Sequence, residues 1–123
     1  MQRAEAIARA IQACGVPNYF GRQRFGRTGD NAQRGEELLT TSRLPGSSWK
    51  GRLLLSAYQA ALFNAWLAER IRRGWFLSLL SGDIAKKWDT GGLFEVEDER
   101  REWPRFQRKE ITYTGPIYGF RMR

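Results

Sequence analysis

The stretch G-R-L-L-L-S-A-Y-Q-A-A-L-F-N-A-W-L-A-E-R-I-R-R, Gly51 to Arg73, organises the reading of the whole chain. Leu54, Tyr58, Ala61, Leu62, Ala65 and Trp66 recur at the i, i+4, i+7, i+8 spacing of one helix face. That spacing predicts a long helix with this face buried. Arg70, Arg72 and Arg73 load its last turn with the positive charge a helix C-terminus favours, and Gly74 stops it. Immediately upstream, T-S-R-L-P-G-S-S, Thr41 to Ser48, is the clearest composition break in the chain and marks a boundary. Before it, Asp30 or Asn31 caps a second helix reaching about Leu39, with Leu38 and Leu39 turned inward and Arg34, Glu36 and Glu37 solvated.

Further out, Gln2 to Ala13 reads as another helix, its stripe formed by Ala6, Ile7, Ala10, Ile11 and Cys14. Gly15 suits its C-terminal end, and Pro17 prevents continuation. Between these first helices, V-P-N-Y-F-G-R-Q-R-F-G-R, Val16 to Arg27, reads as an extended segment with tight bends. On the downstream side, Ile84 to Trp88 and Leu93 to Val96 flank D-T-G-G as a hairpin. Asp98 to Lys109 is charged and is read as broken by Pro104. Ile111 to Phe120 forms a last extended run that ends in Arg121, Met122 and Arg123, as if the chain stops inside a structure. The expected class is therefore α+β, with helices packed on a mixed or antiparallel sheet.

Composition narrows the function. The 123 residues carry 21 Lys+Arg against 13 Asp+Glu, a formal charge of +8, and no histidine. Hydrophobic residues at 41% and charged residues at 28% are a globular balance. The basic excess favours polyanionic partners, nucleic acid or an anionic membrane surface. The longest apolar stretches, Leu53 to Leu55 and Ala60 to Phe63, are far too short to span a membrane, and Arg3, Glu5 and Arg9 interrupt any leader-like run. The single Cys14 excludes a disulfide framework and suits a reducing cytoplasm. Without histidine, Ser-His-Asp and Cys-His chemistry is excluded, and one cysteine cannot complete a zinc site.

Three motifs have plainer readings. Gly21 to Thr28, G-R-Q-R-F-G-R-T, approaches a phosphate-binding loop, but its interior is bulky and no hydrophobic strand precedes it. Ser47-Ser48-Trp49-Lys50 is an S-x-x-K string without the S-D-N and K-T-G elements that accompany it in penicillin-recognising enzymes. Glu95, Glu97 and Glu99 alternate on one face beside Asp98 and read as a solvated hairpin edge rather than an acid–base pair. The segment Asn18 to Arg27 carries more. Tyr19, Phe20 and Phe25 interleave with Arg22, Arg24 and Arg27, while Asn18 and Gln23 supply amides. Aromatic faces can stack bases, arginines can bridge phosphates, and amides can read a base edge. A strand with its aromatics in the core and its arginines in water explains the same alternation, and composition alone favours it.

At this segment the sequence resembles a known family. N-Y-F-G-R-Q-R-F-G, Asn18 to Gly26, resembles the signature N-Y-F-G-x-Q-R-F-G of the TruD family of tRNA pseudouridine synthases. Gly15-Val16-Pro17, Gly29-Asp30-Asn31, L-S-A-Y-Q-A-A-L-F-N from Leu55 to Asn64, Ser81-Gly82-Asp83, the hairpin with Leu93 to Asp98, and Thr114-Gly115-Pro116 are similar to family elements in the same order. The resemblance implies isomerisation of a uridine in the tRNA D-stem to its carbon-linked isomer, with tRNA as partner, no cofactor, no metal and a cytoplasmic setting. It implies a substrate-binding set of Asn18, Tyr19, Phe20, Gln23, Arg24 and Phe25, with the Phe20 ring against the target base, Asn18 as a polar contact, and Arg24 facing RNA. A base must leave its stack to be rotated, which is why a ring is needed to hold it. Arg22 stands where the family often has an acidic residue or proline.

The family's catalytic aspartate lies in a G-x-K-D segment well upstream of N-Y-F-G, whereas no aspartate precedes Asp30 here. Asp30, Asp83, Asp89 and Asp98 lie in other contexts. The resemblance thus implies an internal fragment: 1–44 from the catalytic domain with the motif, and 45–123 the beginning of the inserted domain. Such a fragment is expected to be inactive alone and to self-associate through open sheet edges.

Overall fold

The computed structural model describes residues 2–41 and 48–119. The composition break at Thr41 to Ser48 falls largely on residues outside these, as do Ser47 of the S-x-x-K string and the terminal 120–123. Among the described residues the chain forms helices α1 (Gln2–Cys14), α2 (Asn31–Thr40), α3 (Trp49–Arg72) and α4 (Glu99–Gln107). Strands β1 (Ile84–Lys87), β2 (Leu93–Glu95) and β3 (Ile111–Tyr113) complete the expected α+β architecture. The sheet is antiparallel throughout, in the order β2-β1-β3, with Ala85 opposite Phe94 on one side and Tyr113 on the other.

Helix α3 is the spine. Ser48 caps it by accepting a hydrogen bond from the Gly51 N–H at 3.2 Å, so that the helix begins at Trp49, two residues earlier than predicted. Its buried face only partly matches the predicted one. Gly51, Leu54, Ala57, Ala60, Leu67 and Arg70 are buried, Tyr58, Ala61, Leu62 and Trp66 are half-buried, and Ala65 is exposed. Apolar residues occur on every side of the helix, so spacing alone left several faces suitable. Helix α2 packs on α3 through Gly35, its one buried residue, while Leu38 is half-buried and Leu39 is exposed rather than turned inward. A Cβ on Gly35 would stand 2.2 Å from the Leu54 carbonyl oxygen, so only glycine allows this approach.

Beyond α3 the core moves to the sheet, where Leu79, Ala85, Val96 and Ile111 are buried under Phe94, Phe106 and Tyr113. Helix α4 corrects the reading of Asp98 to Lys109 as a broken stretch. The Asp98 carboxylate accepts from the N–H groups of Arg100 and Arg101 at 2.9 and 3.4 Å, and Glu99 and Glu102 occupy the first turn. Pro104 removes only the donor to the carbonyl of Arg100, an exposed residue whose carbonyl water can serve. Asp98 and Glu99 are therefore helix-start residues rather than hairpin edge; Glu99 also accepts from the Ser81 N–H at 3.0 Å.

Helix α1 presents its stripe, including Ile7 and Ile11, to the exterior of the described structure. It ends as expected at Gly15, whose N–H donates to the Ile11 carbonyl at 2.8 Å. The Lys109 ammonium reaches the Gln12 carbonyl and ties this end to the turn after α4.

At the C-terminus of α3, Glu69 receives hydrogen bonds from Arg72 at 2.6 and 2.7 Å and from Arg73 at 2.6 Å. Arg72, then Arg73, hold its carboxyl at about 2 against an ordinary 4.5. A depressed folded-state pKa stabilises above the unfolded value, so this contribution is complete above about 4.5 and disappears as the pH falls towards 2. Across that window the melting temperature of the wild type should fall more steeply than that of Glu69→Gln. The two curves should converge in high salt, because the pair is solvent-exposed.

Candidate functional site

Phe20 lies where a loop meets the spine. The chain turns after Pro17, whose carbonyl accepts from the Tyr19 N–H at 3.1 Å, and then enters a 3-10 turn at Arg22–Phe25. This turn replaces the extended conformation predicted for the segment, and the alternation of aromatics and arginines does not come from a strand. Within the G-x-x-x-x-G look-alike, the Arg24, Gly26 and Gly29 N–H groups bond to carbonyls of the same loop, so these amides are not free to wrap a phosphate.

Between the two turns, Phe20 has neither a helical nor a strand partner. Asn64 of α3 supplies both: its Oδ1 accepts from the Phe20 N–H at 2.9 Å, and its Nδ2 donates to the Phe20 carbonyl at 3.0 Å. The adjacent Phe63 meets the Phe20 ring edge-on, with centroids 5.4 Å apart. The Arg24 guanidinium sits 5.6 Å from the same ring. Phe20 is half-buried, with one aromatic ring and one guanidinium beside it.

The structure therefore brings Phe20 and Arg24 together. Asn18, Tyr19 and Gln23 are exposed around them, and Phe25 is half-buried. Arg22, Arg24 and Arg27 are exposed and form no ion pair among the described residues. These arginines of the loop are thus unpaired among the described residues, whereas Arg72, Arg73, Arg105 and Arg108 are engaged by Glu69, Glu102 and Glu110. Near the end of this loop, the Thr28 hydroxyl donates to Asp30, which pulls that carboxyl below its usual range.

Behind Phe20 runs a row of rings that the sequence reading did not assemble. Phe63 lies 5.7 Å from Trp66, and Trp66 lies 6.2 Å from Tyr113 on β3. Gly115 follows β3 closely over this row; a Cβ there would fall 2.3 Å from Phe63 and 2.6 Å from Trp66. At the far end, Arg70 is 5% exposed, and its guanidinium lies 3.7 Å from the Tyr113 ring centre. Arg70 holds Asp83 through two hydrogen bonds of 2.8 and 2.7 Å and donates to the carbonyls of Ser78 and Trp75. Burial pushes the Tyr113 phenol up, and its hydroxyl donates to the Phe76 carbonyl at 2.8 Å. A cleft of about 740 Å³ shares Trp66 and Gly115 with the row and is further lined by Asp83, Glu95, Thr114 and Pro116.

One sequence signal could have pointed to this arrangement. Asn64 is a lone amide in the apolar run A-L-F-N-A-W-L, where an unpartnered polar group would be costly. Among the described residues, no cluster of three or more acidic or cysteine side chains could hold a metal ion, and no helix is long and apolar enough to cross a membrane.

Comparison with known proteins matches residues 49–123 to the family model of tRNA pseudouridine synthase D, TruD. The Asn18 to Gly26 motif lies outside that span but inside the alignment with a relative that covers the whole chain. The chain is 47% identical over 129 residues to the tRNA pseudouridine synthase D of Anaeromyxobacter dehalogenans, covering 100% of this chain and 37% of the relative. A Thermus thermophilus protein of the same name is 45% identical over 116 residues, 94% of this chain and 32% of the relative. A Nitratiruptor protein of that name is 31% identical over 151 residues, 99% of this chain and 42% of the relative. The chain thus spans well under half the length of these relatives. With the family model covering more than half of the chain, and with curated relatives aligned along its whole length, this chain belongs to the TruD family of tRNA pseudouridine synthases.

Proposed function

We propose that this chain forms part of the RNA-facing surface of an enzyme that isomerises uridine to pseudouridine in the tRNA D-stem, with the Phe20 ring held beside the extruded base. The observation that carries this reading is the half-buried Phe20, its peptide held by Asn64 and its ring beside Arg24, which forms no ion pair among the described residues. A uracil removed from its helix loses its stacking neighbours, and an aromatic face restores one of them. Arg22, Arg24 and Arg27 supply charge for the flanking phosphates, while Asn18 and Gln23 offer exposed amides for polar contacts.

In the isomerisation, the bond from ribose C1′ to uracil N1 breaks and a bond from C1′ to C5 forms. The hydrogen on C5 leaves, and N1 gains one. Release of tritium from tRNA labelled at uridine C5 therefore reports turnover. The chain alone should bind tRNA and release no tritium, because the aspartate of the family's G-x-K-D segment is not among its residues. Turnover by the isolated chain would overturn the assignment of that aspartate as the missing group.

A second reading, a non-catalytic RNA-binding module, uses the same basic surface. Restoring a chain segment that contains G-x-K-D separates the two: tritium release supports the enzyme, and continued silence supports the module. Both require the logarithm of tRNA affinity to fall linearly with the logarithm of salt concentration. Affinity that is flat with salt would mean that the +8 charge serves solubility alone.

A further inference from the structure

We propose that Asn64 is a positioning residue: it holds the Phe20 peptide so that the ring remains presented to an RNA base, a role that rests on the reading of Phe20 given above. The Phe20 N–H and carbonyl belong to a loop residue without a backbone partner among the described residues, and a half-buried peptide left unpaired loses stability. A carboxamide offers one acceptor and two donors, and here a single planar group satisfies both sides of the peptide across 44 residues of sequence. Aspartate has the same shape but accepts only, so its second oxygen would face the Phe20 carbonyl. Leucine is similar in size and can do neither. Phe63, the residue before Asn64, meets the ring while Asn64 holds the peptide, so consecutive residues of α3 control the height and the tilt of Phe20.

The test uses the 123-residue chain and a uridine-containing tRNA transcript. Amide hydrogen exchange and tRNA affinity are measured for wild type, Phe20→Ala, Asn64→Leu, Asn64→Asp and each double variant with Phe20→Ala. Exchange at the Phe20 N–H should accelerate at least about tenfold in Asn64→Leu as the closed peptide opens. Phe20→Ala and Asn64→Leu should each weaken tRNA binding about tenfold, the scale of one stacked base. Their combination should bind no more weakly than Phe20→Ala alone, because Asn64 acts through the ring. If Asn64→Leu unfolds by circular dichroism, the isosteric Asn64→Asp carries the same comparison.

Multiplicative losses in the double variant would overturn the proposal, as would wild-type affinity in a folded Asn64 variant while Phe20→Ala binds weakly. Equal tRNA binding by wild type and Phe20→Ala would instead bring down the reading of Phe20 itself, and the positioning role with it.

Discussion

Asp83→Ala should lower the free energy of unfolding by about 3–5 kcal/mol, the scale seen when one partner of a buried ion pair is removed. Arg70 is 5% exposed, and the two short contacts to Asp83 provide its only counter-charge among the described residues. Its remaining contacts, the Ser78 and Trp75 carbonyls and the faces of Tyr113 and Trp66, cannot neutralise a full charge. Asp83 also accepts from the Leu80 N–H at 2.9 Å, so the turn into β1 loses an anchor at the same time. Urea denaturation monitored by circular dichroism would show a lower midpoint with an unchanged slope. The double variant Arg70→Met, Asp83→Leu should be more stable than Asp83→Ala, since removing both charges also removes the desolvated, unpaired cation. A double variant at least as unstable as the single one would mean that hydrogen-bond geometry, rather than charge, holds this end of the molecule together.

Gly35→Ala puts two effects in opposition. Inside an exposed helix the change should stabilise by about 1 kcal/mol, because alanine is the better helix former. Here the new methyl would lie 2.2 Å from the Leu54 carbonyl oxygen and 2.8 Å from its carbon, both backbone atoms of α3 that no rotamer change can move. Overpacking of this kind costs about 1–3 kcal/mol, and more when a whole helix must retreat. The clash wins, and a net loss of about 2 kcal/mol is expected in the same denaturation experiment. Gly115→Ala should cost less, since its nearest contacts are the outer ring atoms of Phe63 and Trp66, which can tilt. A more stable Gly35→Ala would mean that α2 does not pack on α3 at this depth.

The positions of α1, α2 and α3 were legible in the residues to within a turn, because Gly15 and Gly74 stop the first and third and Asp30 stands at the start of the second, whereas α4 was not read as a helix. The hairpin around D-T-G-G was legible for the same reason. The region Asn18 to Gly26 stood out as a unit, although its conformation did not: alternation suggested extended chain, and two close turns with a 3-10 segment formed instead. Pro104 was read as a break because its missing donor is a local fact, but the Asp98 cap and the acidic first turn of α4 outweigh one lost bond. Arg70 was legible only as positive charge in the last turn of α3, where it does lie. Unlike Arg72 and Arg73, which stay at the surface, it is turned by its place around the helix to Asp83 and the Tyr113 ring.

Family membership, the α+β class and the ends of α1, α2 and α3 follow from residue order, because they depend on short-range spacing and on what each side chain is. Which face of α3 is covered, how Asn64 comes to hold Phe20, and which arginine is buried were decided only when segments distant in the chain met. Polarity tells what a group requires, and only the folded arrangement determines which neighbour provides it.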